Sequence, residues 1–403
     1  MRLALALLLL LLPGLALGQG RLTGVVQDSV THQPLAFASV FLANTTLGVT
    51  TTEQGTFEFP RVPVGTYDIV GSYVGYRLAR QSIRVEAGAQ QVTLRLAPTA
   101  NQLGEVVVRP NPNRASDFQK FSELFLGRST FSKQCRIRNP DDVLLDFDAE
   151  ANELTASAIK YVQVDNDALG YRVKYYGLRF VSNFTQQVVT FYGQPVFEEM
   201  ATKSERQQRR WEANRVRAYR GSLAHFLRSV RDSQMTAQGF VARRLRIVNN
   251  PRFARADSLR KALLRQRRAF SAAEQDSLSR WASVPPAFSM LYVAPRHLDS
   301  LRRVAPGGRH IFLRFRDQLQ VTYLNEGPDA NYHPQPSRFA KPAPLPQDQQ
   351  NSQLILMQPE IEIEPNGQLA NPLAVFTDGY WGFEKMGEFL PLNYLPPPAP
   401  SHP

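Results

Sequence analysis

Between residues 19 and 98 apolar and polar side chains alternate one by one. Phe57 and Phe59 interleave with Thr56 and Glu58, and Tyr67, Ile69 and Gly71 with Thr66, Asp68 and Val70. Val92, Leu94 and Leu96 interleave with Thr93 and Arg95. A period of two with one polar face predicts short antiparallel strands on a single core, and the turn signals between them predict a β-sandwich. Gly55 and Gly65 stand just before strands, where a turn requiring positive φ uses glycine. A last strand over 105–108 runs into Pro110 and Pro112, whose missing N–H groups favour an extended linker over 109–115.

The remainder, 116–396, reads as an α+β domain. A short helix is expected from Ser116 to Phe125. Strands follow, in which Tyr171, Val173 and Tyr175 alternate with Arg172 and Lys174. From about 202 to 305 the period lengthens to that of helices. Thr202 and Glu205 have capping-box spacing, and Val216, Tyr219, Leu223, Phe226 and Val230 recur every three or four residues. A second helix is expected over 256–268, a capping box at Ser271 and Glu274, and a shorter helix within 294–306. A proline-rich loop covers about 328–350. Strands then return, with an Asn366-Gly367 turn, before an aromatic-rich end and a disordered tail at 397–403.

The first residues add a compartment. Arg2, an apolar run from Leu3 to Leu12, the break at Pro13-Gly14 and the small residues Ala16 and Gly18 form an export signal ending at residue 18. That run is shorter than the ~20 residues that span a bilayer, and the mature chain has no other long apolar run. No cysteine stands immediately after the cleavage site, so lipoprotein anchoring is excluded there. Charge narrows the partners. The 403-residue chain carries +12, but residues 201–316 hold 26 Lys or Arg against 7 Asp or Glu, a local +19. In an exported chain such a block favours lipopolysaccharide, envelope glycan or another envelope protein over nucleic acid, with Arg209, Arg210, Arg267 and Arg268 as candidate contacts. Its plainer meaning is a set of solvated helix faces.

Little else points to chemistry. None of the six histidines has zinc-ligand spacing, and no nucleophile elbow, phosphate loop or dinucleotide fingerprint occurs, so no metal or cofactor is expected. The only cysteine, Cys135, stands among Lys133, Arg136 and Arg138, which would lower a thiol pKa; a half-buried structural cysteine is the alternative. Ser222 and His225 lie three apart on a helix, close enough for a Ser–His contact, although Gly221 beside them suggests close helix packing instead. Asp141, Asp142, Asp146 and Asp148 lack the glycine and glutamate of a calcium loop. Trp211, Trp281 and Trp381 fit sugar stacking or, more simply, a core.

The first domain resembles a known family. In "GVVQDSVTHQPLAFASVFLANTTLGVTTTEQGTFEFPRVPVGTYDIVGSYVGYR", the features Gly24-Val25 before Asp28, Pro34-Leu35, Thr51, Gly55, Phe57, Gly65, Tyr67 and Gly75-Tyr76 are those of the carboxypeptidase regulatory-like domain, abundant in Bacteroidota envelope proteins. The resemblance implies a transthyretin-like sandwich that accompanies catalytic domains without being catalytic. In many relatives this domain precedes an outer-membrane receptor barrel; the residues left here are too few for one, and their middle is helical. The remainder is similar to the uncharacterised partner region of stand-alone members. An exported, non-enzymatic binding or scaffolding protein is therefore expected. The alternatives are a peptide or glycan hydrolase with dispersed residues and an accessory part of an outer-membrane uptake system.

Overall fold

The computed structural model describes residues 19–99, 113–266, 268–334, 346 and 348–397. The export signal, the 105–108 strand, most of the linker, Arg267, the middle of the proline-rich loop and residues 398–403 lie outside the described residues.

Seven strands build the first unit: β1 (Gln19–Asp28), β2 (Ser39–Leu42), β3 (Gly48–Thr50), β4 (Thr56–Pro63), β5 (Gly65–Ser72), β6 (Ala79–Val85) and β7 (Gly88–Leu96). They form two sheets, ordered β4-β1-β7 and β3-β2-β5-β6. The alternating residues do face one core, where Phe57, Phe59, Tyr67, Ile69, Leu94 and Leu96 are buried. Gly55 takes φ +71°, and a Cβ there would sit 2.8 Å from both Pro34 Cβ and Val26 O. Two expectations need correcting. β1 and β7 pair in parallel, a choice that alternation does not encode. Val70, on the side read as polar, is fully buried, because that outer face is covered by the next unit.

The second unit is a six-stranded sheet under one helix. Helix α1 (Arg114–Leu126) precedes β8 (Cys135–Ile137), β9 (Val143–Asp148), β10 (Glu153–Ala158), β11 (Tyr161–Asn166), β12 (Tyr171–Asn183) and β13 (Val188–Glu199). The order is β8-β11-β12-β10-β9, with β13 also on β12. Phe121 and Phe125 of α1 stack at 5.2 Å, and Phe180 meets Phe121 edge-on at 5.1 Å. The opposite face is wet: Arg172 pairs with Asp165 and Lys174 with Glu198.

The third unit departs furthest from the sequence reading. The single amphipathic helix is two, α2 (Glu205–Tyr219) and α3 (Leu223–Arg231), broken at Gly221 with φ +77°. Its cap is Ser204, which accepts the Gln207 N–H, while Thr202 bonds the Gln207 side chain instead of making a capping box. The Ser271–Glu274 box forms as expected. The block read as helical also holds strands, among them β14 (Phe240–Asn249) and β15 (Ala287–Pro295), joined through helices α4 (Pro251–Leu264) and α5 (Ala272–Ala282). The third expected helix is one turn, α6 (Leu298–Leu301), running into β16 (Arg302–Val304). After β17 (Ile311–Arg314) and β18 (Gln318–Tyr323) come β19 (Gln350–Leu356), β20 (Glu360–Ile363), β21 (Val375–Gly379) and α7 (Tyr380–Phe383). A five-stranded sheet, β15-β14-β18-β19-β21, and a three-stranded one, β16-β17-β20, share a core with Phe226, Leu227 and Val230 of α3.

The units are locked together. Phe41 meets Tyr176 at a tilt with ring centroids 4.8 Å apart, Asn44 N–H donates to Pro195 O at 2.6 Å, and Phe197 N–H to Thr45 O at 2.9 Å. Arg228 of α3 donates to the carbonyls of Asn366, Leu392 and Tyr394, which holds the C-terminal segment against the sandwich, where Leu392 N–H reaches Asn44 O.

Candidate functional site

Ser222 and His225 are close but do not form a catalytic pair. Ser222 is the N-cap of α3: its Oγ accepts the backbone N–H of His225 at 3.2 Å and donates to Tyr219 O at 2.7 Å. The imidazole points elsewhere. Nδ1 accepts Gly221 N–H at 3.2 Å, so Nε2 carries the proton and donates to Gln238 Oε1 at 3.0 Å. Burial lowers its pKa, which keeps the ring neutral. Both ring nitrogens are spent on holding the α2–α3 corner, whose Gly221 carbonyl also accepts Trp381 Nε1–H.

Cys135 opens β8 in the interior, with Sγ 3.7 Å from Phe131 O. Burial pushes the thiol pKa up, and Glu388 and Asp167 push the same way. The neighbouring cations fail to oppose this because Lys133, Arg136 and Arg138 are exposed; Lys133 bonds Asn331 and Arg138 pairs with Asp165. The thiol therefore stays protonated, the reverse of an activated nucleophile.

Beside Cys135 is an open cleft of about 570 Å³, lined by Ser122, Gly127, Arg128, Lys133, Asn331 and His333 among others. Behind it lies a polar relay, buried at Ser129, Ser132 and Asp329 and half-buried at Glu388, that the sequence did not single out. Ser129 Oγ bonds Ser132 Oγ at 2.9 Å and the Glu388 carboxyl. Asp329 accepts the N–H groups of Thr130 at 3.0 Å and Asn331 at 2.8 Å. Burial lifts Glu388 to about 7, against the Ser129 hydrogen bond. Glu384, four residues earlier, is also raised, by burial and by Glu388. "EKMGEF" offered two glutamates four apart, but nothing in their spacing announced burial. Among the described residues no three or more His, Cys, Asp or Glu side chains are grouped to hold a metal.

The basic block divides by what each arginine touches. Arg209 pairs with Glu205 at 3.2 Å, Arg210 reaches Asp167 O at 3.4 Å, and Arg268 forks onto both oxygens of Glu274. Arg215 is buried against the Tyr171 ring, 4.0 Å from its centroid, and donates to Leu169 O and Gly170 O. Arg252, Arg255 and Arg265 of the α4–α5 arm are exposed and have no anionic partner among the described residues. This arm hardly serves the fold. α4 buries only Ala256 and α5 buries nothing, while Leu259 and Leu264 stay exposed. A helical pair that buries so little is held by local capping and ion pairs.

Residues 22–108 match the CarboxypepD_reg-like domain family, which is the sandwich just described. No curated protein matches the chain. Similar solved structures include the pilus 2b backbone protein of group B streptococcus, at 19% identity and a TM-score of 0.18 over 20% of this chain and 42% of that one. The shaft pilin SpaA of Lactobacillus rhamnosus GG matches at 15% identity and a TM-score of 0.18, over 20% and 46%. Catechol 1,2-dioxygenase of Acinetobacter sp. ADP1 matches at 13% identity and 0.20, over 25% and 59%. The chain thus spans about half the length of these structures.

Proposed function

We propose that the protein is an exported, non-catalytic binding protein of the cell envelope, of Bacteroidota type, that presents its third unit to an anionic partner in the periplasm or at the cell surface. The observation that carries this reading is the α4–α5 arm: an ordered, basic, partly apolar element that contributes almost no burial to its own fold. A structure retained at the cost of exposed leucines is accounted for by something that covers them. The CarboxypepD_reg-like sandwich supports the reading as an accessory module, docked rigidly on the second unit. Ser222, His225 and Cys135 lend no support to a hydrolase, since each is engaged in holding the fold. Lipopolysaccharide, acidic glycan and an acidic envelope protein all meet the charge requirement.

The test separates the arm's unpartnered arginines from arginines that already touch an acid or a carbonyl. Immobilised lipopolysaccharide, an acidic polysaccharide and an acidic envelope protein are each challenged with the mature chain at low and high salt. Retention should fall as salt shortens the Debye length below its physiological ~8 Å. An Arg252, Arg255, Arg265→Gln variant should lose most retention, and an Arg209, Arg210, Arg268→Gln variant much less. Equal retention of both variants and the parent would remove the basic face from the function.

A further inference from the structure

The arm springs from one end of β15, and β15 is the terminal strand of the five-stranded sheet. Among the described residues its only partner is β14, paired regularly over 287–291 and again at Pro295, so one side of its backbone meets no other described strand. Such edges are ordinarily guarded by lysines, an interior proline, a bulge or a very short strand. β15 has a bulge only beyond Leu291; over 287–291 it has none of these, since "AFSMLYVAP" carries no charge and its proline stands at the last position. Its side chains are apolar as well as exposed. Phe288 is 40% exposed, Met290 49% and Tyr292 37%, and they alternate along the strand on the face opposite the buried core residue Leu245.

The surroundings are cationic. Residues 240–296 hold twelve Lys or Arg and three Asp or Glu. Those three acids are already taken, Asp257 by Arg260 and Lys261, Glu274 by Arg268, and Asp276 by Arg280. Arg246, directly across from Met290 on β14, is exposed and has no anionic partner among the described residues. Two β15 strands pairing edge to edge would bring two such fields together, which disfavours a second copy of this chain.

Resting on the proposed binding role, we infer that β15 is a β-augmentation site for an extended polypeptide segment in which acidic side chains alternate with apolar ones. Main-chain hydrogen bonds to β15 supply the attachment. The carboxylates of the segment share the face of Phe288, Met290 and Tyr292, on which Arg246 stands across from Met290, and its apolar side chains lie on the other face, beside Leu291. A glycan or lipid headgroup satisfies the arginines but leaves the unpaired backbone edge unused.

The probe is a labelled ten-residue peptide alternating valine with glutamate, tested on the full chain by fluorescence anisotropy. Controls are a block isomer of the same composition and a valine–lysine alternating peptide. The alternating acidic peptide should bind about tenfold more tightly than either control. M290E and Y292E lie on the exposed face and should each weaken it severalfold with unchanged circular dichroism. Equal binding of the two acidic isomers would overturn the strand-pairing site while leaving the basic face as a binder of anions. If M290E and Y292E bind as the parent does, the site is also overturned. Concentration-dependent dimerisation abolished by M290E would assign the edge to a second copy instead. If the arginine variants keep full retention on every anionic partner, the broader reading fails separately.

Discussion

At the scale of single residues, groups chosen for their chemistry turn out to hold the fold. Ser222 and His225 were legible as neighbours from their spacing, but not their directions. The hydroxyl caps a helix, and the ring turns toward Gly221 and Gln238. Cys135 fails as a nucleophile because sequence neighbours of a strand residue point away from the interior that sets its pKa. Glu388 went unread because its partner, Ser129, is remote in the chain. It carries a signed consequence. Its carboxyl is lifted by burial to about 7, so the folded state binds a proton that the unfolded state, with a carboxyl pKa of ~4.3, releases. Its contribution is therefore complete below ~4.3 and is lost as pH rises through about 7. Glu388→Gln keeps a hydrogen-bonding partner for Ser129 and removes this titration. Urea denaturation should show the parent losing on the order of 2 kcal/mol relative to the variant between pH 4.5 and 8. Parallel pH profiles would show that Glu388 is solvated.

At the scale of elements, alternation over 19–98 gave the sandwich, because one buried face leaves a clean period of two. The second sheet was legible for the same reason. The block 202–305 was not. Its arginines fall on strands as well as helices, and β15 is an edge strand with an exposed apolar face, so its short apolar run lacked the polar alternation of a half-buried strand. The break between α2 and α3 was marked by Gly221, read as close packing, and the structure gives the reason. A Cβ there would lie 1.9 Å from Gln350 Oε1 and 2.9 Å from Tyr323, in a backbone already at φ +77°. Gly221→Ala should cost about 2–4 kcal/mol, from left-handed strain plus overpacking. Gly307→Ala, at φ +91° with nothing within 4 Å, should cost only about 1 kcal/mol. Equal chemical-denaturation midpoints for the two variants would mean that the α2–α3 corner is not packed as described.

At the scale of the molecule, three units with three cores behave as one body because their contacts are specific. Val70 and Phe41 of the sandwich are buried with Tyr176 and Val196 of the second unit, and Arg228 clamps two carbonyls of the closing segment and that of Asn366. None of this is local in sequence, so the sandwich could be recognised from its strands but not its docking. Against this packed body the α4–α5 arm is the exception, and its role as a presenting element is the central claim. The direct measurement replaces residues 250–286 with a short glycine–serine turn joining β14 to β15. Thermal melting is then recorded alongside retention on the anionic partners. The account predicts a melting temperature within a few degrees of the parent, since only Ala256 and the cap residue Asn250 lose buried positions there apart from the strand junction. Retention should be largely lost. Retention equal to the parent's, or a chain that no longer folds cooperatively, would contradict it.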